Sequence, residues 1–355
     1  MRRLTKIAAA SAVLALALTG CGNDETGSTT GSEDICEGSS GNGPKIGLAY
    51  DVGGRGDQSF NDSAYVGLKK AVDDLDASCK EVEAGTGEND ADREERLRLL
   101  ADAGFNPVVA VGFVYSPAVA TVAAEYPDVN FGVVDGYATA IKEQKNVADL
   151  TFAENEGSFL VGVAAALKTE AKNVGFVGGV NGPLIQKFEA GFKAGVEAVD
   201  PKIEIQTQYL SQDDPQQGFE NPAGGETAAT GMYDNGADIV YHAAGKSGLG
   251  VFDAVEAAGE GYWAIGVDSD QYLTVDEAQK KHILTSMLKR IDTAVFEYAE
   301  AFDGGSAPSG FVTYDLKSGG VDYSTSGGFV DDITDQIDKY KDQIIAGEVK
   351  VPTAP

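Results

Sequence analysis

The chain has 355 residues, 43% hydrophobic and 23% charged, which is enough to bury one large core or two ordinary ones. Acidic residues outnumber basic ones 56 to 27, a net charge of −29. A surplus of that size argues against nucleic acid or an anionic lipid surface as a partner, because both would be repelled.

The chain begins with Arg2, Arg3 and Lys6, followed over 7–18 by an apolar run rich in Ala and Leu. That run is shorter than the about 20 residues a spanning helix needs, and the pattern is that of a secretory signal peptide over 1–20. Leu18-Thr19-Gly20-Cys21 comes at once after it and resembles the lipobox of bacterial lipoproteins, in which the Cys becomes the lipidated N-terminus. Beyond the lipidated Cys, residues up to 43 are Gly, Ser, Thr, Asn, Asp and Glu with almost no apolar content, so 21–43 has the character of a lipid-anchored flexible tether. An exported chain lives in an oxidising compartment, where an even count of remaining cysteines suggests a disulfide. Cys36 precedes the first expected strand and Cys79 follows the first expected helix, at the same edge of a βα unit. A bridge between them is weighed against two buried free thiols. The two histidines, His242 and His282, are too few for a Cys/His metal cluster, and neither a metal nor a cofactor is expected.

From Lys45 onward strands and helices alternate. Apolar runs predict strands over 46–50, 107–111, 129–134 and 147–152, then over 174–177, 203–209, 239–241 and 264–267. Stretches between them predict helices over 61–75, 90–103, 117–125, 157–167, 184–199, 226–235 and 249–258. Apolar strands alternating with amphipathic helices make parallel sheets covered on both faces, an α/β fold. An internal echo divides the chain. Gly47, Phe60 and Gly67 are spaced by 13 and 7 residues, and so are Gly175, Phe188 and Gly195. In both places a strand runs into a Gly-rich turn and a Phe sits near a helix start, which implies two related lobes. Strands over 283–288 and 311–314, with helices over 291–302 and 333–345, suggest further crossovers. The expected N-terminal lobe is 44–152 plus 288–313, and the expected C-terminal lobe is 153–287 plus 314–355. Several crossovers make a hinge, and a hinge makes a cleft that closes.

In open parallel sheets, ligands bind at the carboxyl ends of the strands. Asp51, Asp135 and Asp268 fall at three such ends, although a lone Asp more often caps a helix or a turn. Phe60 and Phe188 hold equivalent places in the two lobes. They either pack into the core or flank a flat ligand, where stacking is worth about 1–3 kcal/mol per base. Asn61 offers a donor and an acceptor. Lys289 either faces solvent or donates to a ligand hydroxyl in an acidic cleft. Gly245-Lys246-Ser247 looks like the end of a P-loop, but Val240 stands where that motif needs Gly. Arg55-Gly56-Asp57 reads as a chance adhesion tripeptide.

The stretch Asp51-Val-Gly-Gly-Arg-Gly-Asp57-Gln-Ser-Phe60-Asn61 resembles the opening motif of the basic membrane protein family of lipoproteins, which includes bacterial purine nucleoside receptors. Glu154-Asn-Glu156-Gly-Ser-Phe-Leu-Val-Gly162, Phe188-Glu-Ala-Gly-Phe192-Lys-Ala-Gly195, Gly266-Val-Asp268-Ser-Asp270-Gln271 and Thr285-Ser-Met-Leu-Lys289 resemble further signatures, from about Lys45 to Pro352. The resemblance implies a two-lobed periplasmic-binding-protein fold of type I. It implies an extracytoplasmic, monomeric substrate-binding protein, anchored to the cell membrane only through Cys21, that delivers a nucleoside to an ABC transporter permease. It further implies that Phe60 and Phe188 sandwich a purine, that Asp51, Asn61 and Asp135 bond the base edge, and that Asp268 and Lys289 hold the ribose hydroxyls. Gly245 joins the ligand-binding set, although Gly245-Lys246-Ser247-Gly248 departs from the family's Gly-Gly-Thr-Gly on the ribose side. The chemistry agrees independently: carboxylates accept purine N–H groups, and a cis-diol suits a carboxylate with an ammonium alongside. An acidic cleft without a phosphate cradle is expected to reject nucleotides. Rival readings keep the fold and bind a sugar or another small polar metabolite, or cleave a nucleoside with Asp51 as base. The binding reading makes the chain no enzyme.

Overall fold

A computed structural model describes residues 35–355. The expected signal peptide over 1–20, the lipidation site Cys21 and the first part of the tether lie outside the described residues. The first run of elements is β1 (Lys45–Ala49), α1 (Phe60–Leu75), β2 (Ser78–Val82), α2 (Asp90–Asp102), β3 (Val108–Val111), α3 (Ser116–Glu125), β4 (Phe131–Val134), α4 (Ala138–Ile141) and β5 (Val147–Phe152). The second is α5 (Glu154–Lys168), β6 (Asn173–Val180), α6 (Pro183–Val199), β7 (Glu204–Ser211), α7 (Pro215–Phe219), α8 (Pro222–Asp234), β8 (Ile239–Ala243), α9 (Gly248–Ala258), β9 (Trp263–Asp268), α10 (Glu277–Lys280) and β10 (Ile283–Lys289). Then come α11 (Ile291–Asp303), β11 (Gly310–Tyr314), β12 (Val321–Tyr323) and α12 (Thr334–Ile345). The inner strands are apolar on both faces: every residue of β3, β4 and β6 is buried, as parallel strands covered on two sides require.

These strands form two sheets, β11-β5-β4-β3-β1-β2 and β12-β10-β9-β8-β6-β7. The first is parallel throughout. The second is parallel except for β12, which runs antiparallel to β10. The sequence echo is a topological one, since β1, β3, β4 and β5 hold the places that β6, β8, β9 and β10 hold in the other sheet. Its helix glycines do the same work twice. A Cβ on Gly67 of α1 would stand 2.4 Å from the Asp292 carbonyl oxygen of α11. One on Gly195 of α6 would stand 2.1 Å from the Phe159 carbonyl oxygen of α5. In each lobe the helix after the first strand therefore packs backbone-close on a helix that follows a crossover.

The chain changes sheet three times, after β5, after β10 and after β11. The limits at 288 and 314 expected from the sequence need correction. Leu288 and Lys289 complete β10 in the second sheet, paired with β12. Tyr314 completes β11 in the first, opposite Phe152. A disulfide joins Cys36 to Cys79. Cys79 does not merely follow a helix but lies in β2, the outer strand of the first sheet. No described helix is long and apolar enough to cross a membrane.

Candidate functional site

Between the lobes lies a cavity with about 520 Å³ of empty space, open solvent at its mouth included. Its walls come from the carboxyl ends of strands in both sheets. The β1–α1 loop supplies Asp51 and Asp57, and the first turn of α1 supplies Phe60 and Asn61. The turn after β3 adds Phe113, and Asp135 follows β4. The opposite wall carries Phe188 on α6, Phe219 on α7, Gly245 after β8, and the terminal residues Asp268 of β9 and Lys289 of β10. The eight ligand-binding residues named from the sequence thus all line one cavity.

Two of them also carry structural bonds. The Asn61 Oδ1 accepts the Asp51 N–H at 2.9 Å, and its Nδ2 donates to Asp57 Oδ2 at 3.1 Å. Asn61 thereby holds Asp51 in place while lining the cavity itself. Asp135, expected at the base edge, accepts from the Lys289 ammonium at 2.6 Å. Asp135 belongs with the group that also holds Glu154, whose Oε1 lies 3.7 Å from the same ammonium. Lys187 closes this group, donating to Glu154 at 3.0 Å. Asp135 Oδ1 and Glu154 Oε1 are buried and find no hydrogen bond among the described residues; of the two, Asp135 lines the cavity, and its oxygen is an acceptor open to a donor there.

Lys289 is 1% exposed. Burial pulls its pKa down, but Asp135, Glu154 and Asp268 outweigh that and hold it above the ordinary lysine value. Its ammonium lies 5.1 Å from the Phe60 ring centre and 5.5 Å from that of Phe188, within cation–π range of one ring from each lobe. Asp135 and Asp268 end equivalent strands and share left-handed backbone, φ 59° and 63°. Such conformations are strained for a non-glycine residue and collect at functional sites. Asp268 accepts the Ser59 hydroxyl at 2.5 Å from across the cleft.

Asp51 stands apart from this charge cluster. Its Oδ1 accepts the Val52 N–H at 2.7 Å. Its Oδ2 packs on Gly112, where a Cβ would stand 1.9 Å away and where φ is 104°. Burial pushes its carboxyl up to about 7, opposed by the Val52 N–H and by Arg93, and reinforced by Glu88 and Asp135. Next to Gly112, Phe113 meets Phe219 of the other lobe edge to face, with ring centres 6.4 Å apart.

Sequence reasoning missed Phe113, Phe219 and Asp57 on the cavity wall, and Glu154 behind Lys289. Asp57 accepts the N–H groups of Ser59, Asn61 and Asp62 and so caps α1, a role its place before a helix start would have signalled. Arg55 pairs with Asp62 at 2.9 Å and lies 3.3 Å from Glu81, so both charges of the tripeptide Arg55-Gly56-Asp57 are tied into the fold. The Gly245–Ser247 turn also separates into two roles. Lys246 donates across the cleft to the Gly53 carbonyl at 3.3 Å, while the Ser247 hydroxyl accepts the Asn221 N–H at 2.8 Å inside its own lobe. Among the described residues no group of His, Cys, Asp and Glu is arranged to hold a metal ion.

A family model described as "ABC transporter substrate-binding protein PnrA-like" matches residues 45–354. The "ABC transporter nucleoside-binding protein BmpA" of Lactococcus lactis is 32% identical, covering 99% of each chain. "Basic membrane protein A" of Borreliella burgdorferi is 30% identical, covering 87% of this chain and 88% of its own. Among solved structures, an ABC transporter solute-binding protein of Aeropyrum pernix is similar with a TM-score of 0.75 at 27% identity, over 87% of this chain and 93% of that one.

Proposed function

The chain belongs to the PnrA-like family of ABC transporter substrate-binding proteins, and from that membership we propose that its interlobe cavity captures a purine nucleoside for an ABC importer. Membership carries with it an extracytoplasmic place of work, a permease partner and a small ligand. The nucleoside, the monomeric state and the lipid anchor at Cys21 are the further steps of this reading. The observation that carries it is the pair Phe60 and Phe188, one aromatic ring from each lobe on the wall of one cavity. Closing the lobes on a planar base desolvates both of its faces. Lys289, Asp135 and Asp268, with Glu154 behind the ammonium, then meet the sugar, where an ammonium beside carboxylates suits hydroxyls that both donate and accept. The nucleoside-binding relative from Lactococcus lactis supports the same reading.

Protein taken from the membrane fraction tests both halves at once. Its intact mass reads a lipid on Cys21, and denaturation releases the bound molecule for identification by mass spectrometry. Calorimetry then compares inosine, ribose and inosine monophosphate. Inosine is expected to bind, ribose alone to fail, and the monophosphate to bind more weakly because the cavity is acidic. Phe188→Ala is expected to lose about 1–3 kcal/mol of inosine affinity, roughly 5- to 150-fold. Ribose binding as tightly as inosine, or the monophosphate binding tighter, would refute the nucleoside reading.

A further inference from the structure

The polar groups of the cavity fall into two sets. Around Lys289, an ammonium and the carboxylates of Asp135 and Asp268 offer donors and acceptors together, a match for hydroxyls. At Asp51 the arrangement is simpler. One carboxyl oxygen takes the Val52 N–H, and the other rests on Gly112 beside Phe113, whose ring meets Phe219 across the cleft. A single carboxyl set among aromatic rings suits one polar edge of a flat heterocycle. The backbone of Asp51 is pinned by Asn61, and Asn61 by Asp57, so the carboxyl cannot easily turn away from the occupant of the cavity.

Purines present two opposite patterns at the ring nitrogen next to carbon 6. A 6-oxopurine carries an N–H there, a donor, whereas a 6-aminopurine carries a lone pair, an acceptor. A carboxylate only accepts, while a neutral carboxylic acid has an O–H to donate. We propose that Asp51 sorts purine nucleosides by this difference, accepting from a 6-oxopurine as a carboxylate and donating to a 6-aminopurine as a neutral acid. The proposal rests on the nucleoside reading above and adds a rule of selection to it.

The surroundings make both protonation forms accessible near neutral pH. Burial is the main cause that raises the Asp51 carboxyl to about 7, with Arg93 opposing and Glu88 and Asp135 adding to the rise. Tyr115, also close enough to interact with Asp51, is itself held well above the ordinary tyrosine range by burial and stays neutral. Asp57 lies on the same loop, and Lys289 and Asp268 face the cavity from the other lobe. Burial also raises the Asp57 carboxyl to about 7, and because all three groups remain in Asp51→Asn, that variant separates their titration from that of Asp51.

The test is calorimetry of the intact protein with adenosine and with inosine at pH 6 and pH 8, where neither free base titrates. Inosine binding is expected to weaken below pH 7 and adenosine binding above it, so the adenosine-to-inosine ratio of Kd rises by about a hundredfold from pH 6 to pH 8. Titration in two buffers of different ionisation heat is expected to show a proton taken up with adenosine at pH 8. In Asp51→Asn the side-chain amide offers a donor and an acceptor at every pH, and the ratio is expected to be flat. A flat ratio in the unaltered protein, with both nucleosides bound, overturns the proposal and leaves the nucleoside reading standing. A ratio that still changes in Asp51→Asn overturns it as well. Failure of both nucleosides to bind at either pH overturns the reading and the proposal together.

Discussion

Asp51 illustrates how a cavity-lining carboxyl is carried at a cost to the empty fold. With its carboxyl near 7 in the folded chain and near 3.8 in the unfolded one, the folded state holds its proton more tightly. The stability linked to that proton is whole below about pH 3.8 and is lost as pH rises through 7. Each pKa unit corresponds to about 1.4 kcal/mol, so ionised Asp51 costs the ligand-free fold up to about 4 kcal/mol at pH 8. Asp51→Asn, which removes the charge and keeps the shape, is expected to raise the denaturation midpoint of the ligand-free protein at pH 8. The gain should shrink to nothing toward pH 4. Urea unfolding at the two pH values reads this, and an equal effect at both would mean that Asp51 is not destabilised by burial. Lys289 is the contrasting case. Its ammonium lies within reach of two nearly inaccessible carboxylates, and it is needed to keep them inside the molecule at all.

At the scale of elements, two helix pairs pack backbone-close, α1 on α11 and α5 on α6. Each depends on a glycine whose added Cβ would meet a backbone carbonyl, 2.4 Å away at Gly67 and 2.1 Å at Gly195. Backbone cannot rotate aside as a side chain does, so the helices would have to separate. Ala is the better helix former by about 1 kcal/mol, and overpacking typically costs about 1–3 kcal/mol. At these distances the clash prevails, and Gly67→Ala and Gly195→Ala are each expected to lower stability by about 1–2 kcal/mol. Gly231 in α8 supplies the control, because nothing lies within 4 Å of its would-be Cβ. Gly231→Ala is expected to stabilise, by up to about 1 kcal/mol. Equal signs at all three positions in denaturant titrations would show that propensity, not packing, governs them. The echo that exposed Gly67 and Gly195 was legible because two copies of one pattern stand in one chain. Elements with no such signal went unseen. β2 reads Ser-Cys-Lys-Glu-Val and is an outer strand with one buried residue, so it has neither an apolar run nor a strict alternation. β12 has three residues and exists by pairing with β10. α5 begins at Glu154, three residues before its expected start, because its first turn is buried by tertiary contacts and not by its own polarity pattern.

At the scale of the whole molecule, the cavity is walled by both lobes, and that explains which of its parts were legible. The strand-end aspartates and the two echoed phenylalanines announce themselves locally, at the ends of apolar runs. Contacts between lobes do not: Lys289 and Asp135 are 154 positions apart, and Phe219 sits on a five-residue helix with no periodicity to mark it. The same holds for the polar contacts that join the lobes. Ser59 bonds Asp268, Ser269 donates to the Ser59 carbonyl at 3.1 Å, and Gln271 donates to the Gln58 carbonyl at 3.1 Å. Lys246 adds a fourth contact from outside the cavity wall, reaching the Gly53 carbonyl from the turn where the chain departs from its family's pattern. This contact spans the two lobes, so its energy is lost in any arrangement that parts them. A hydrogen bond from a charged donor is worth about 1.5–3 kcal/mol when buried, and this one is partly exposed, so about 1 kcal/mol is a reasonable share. Lys246→Met is therefore expected to raise the ligand dissociation rate about fivefold while leaving the association rate and the order of preference among ligands unchanged. Stopped-flow measurement separates the two rates. A changed preference with an unchanged off-rate would instead make Lys246 a contact of the ligand itself.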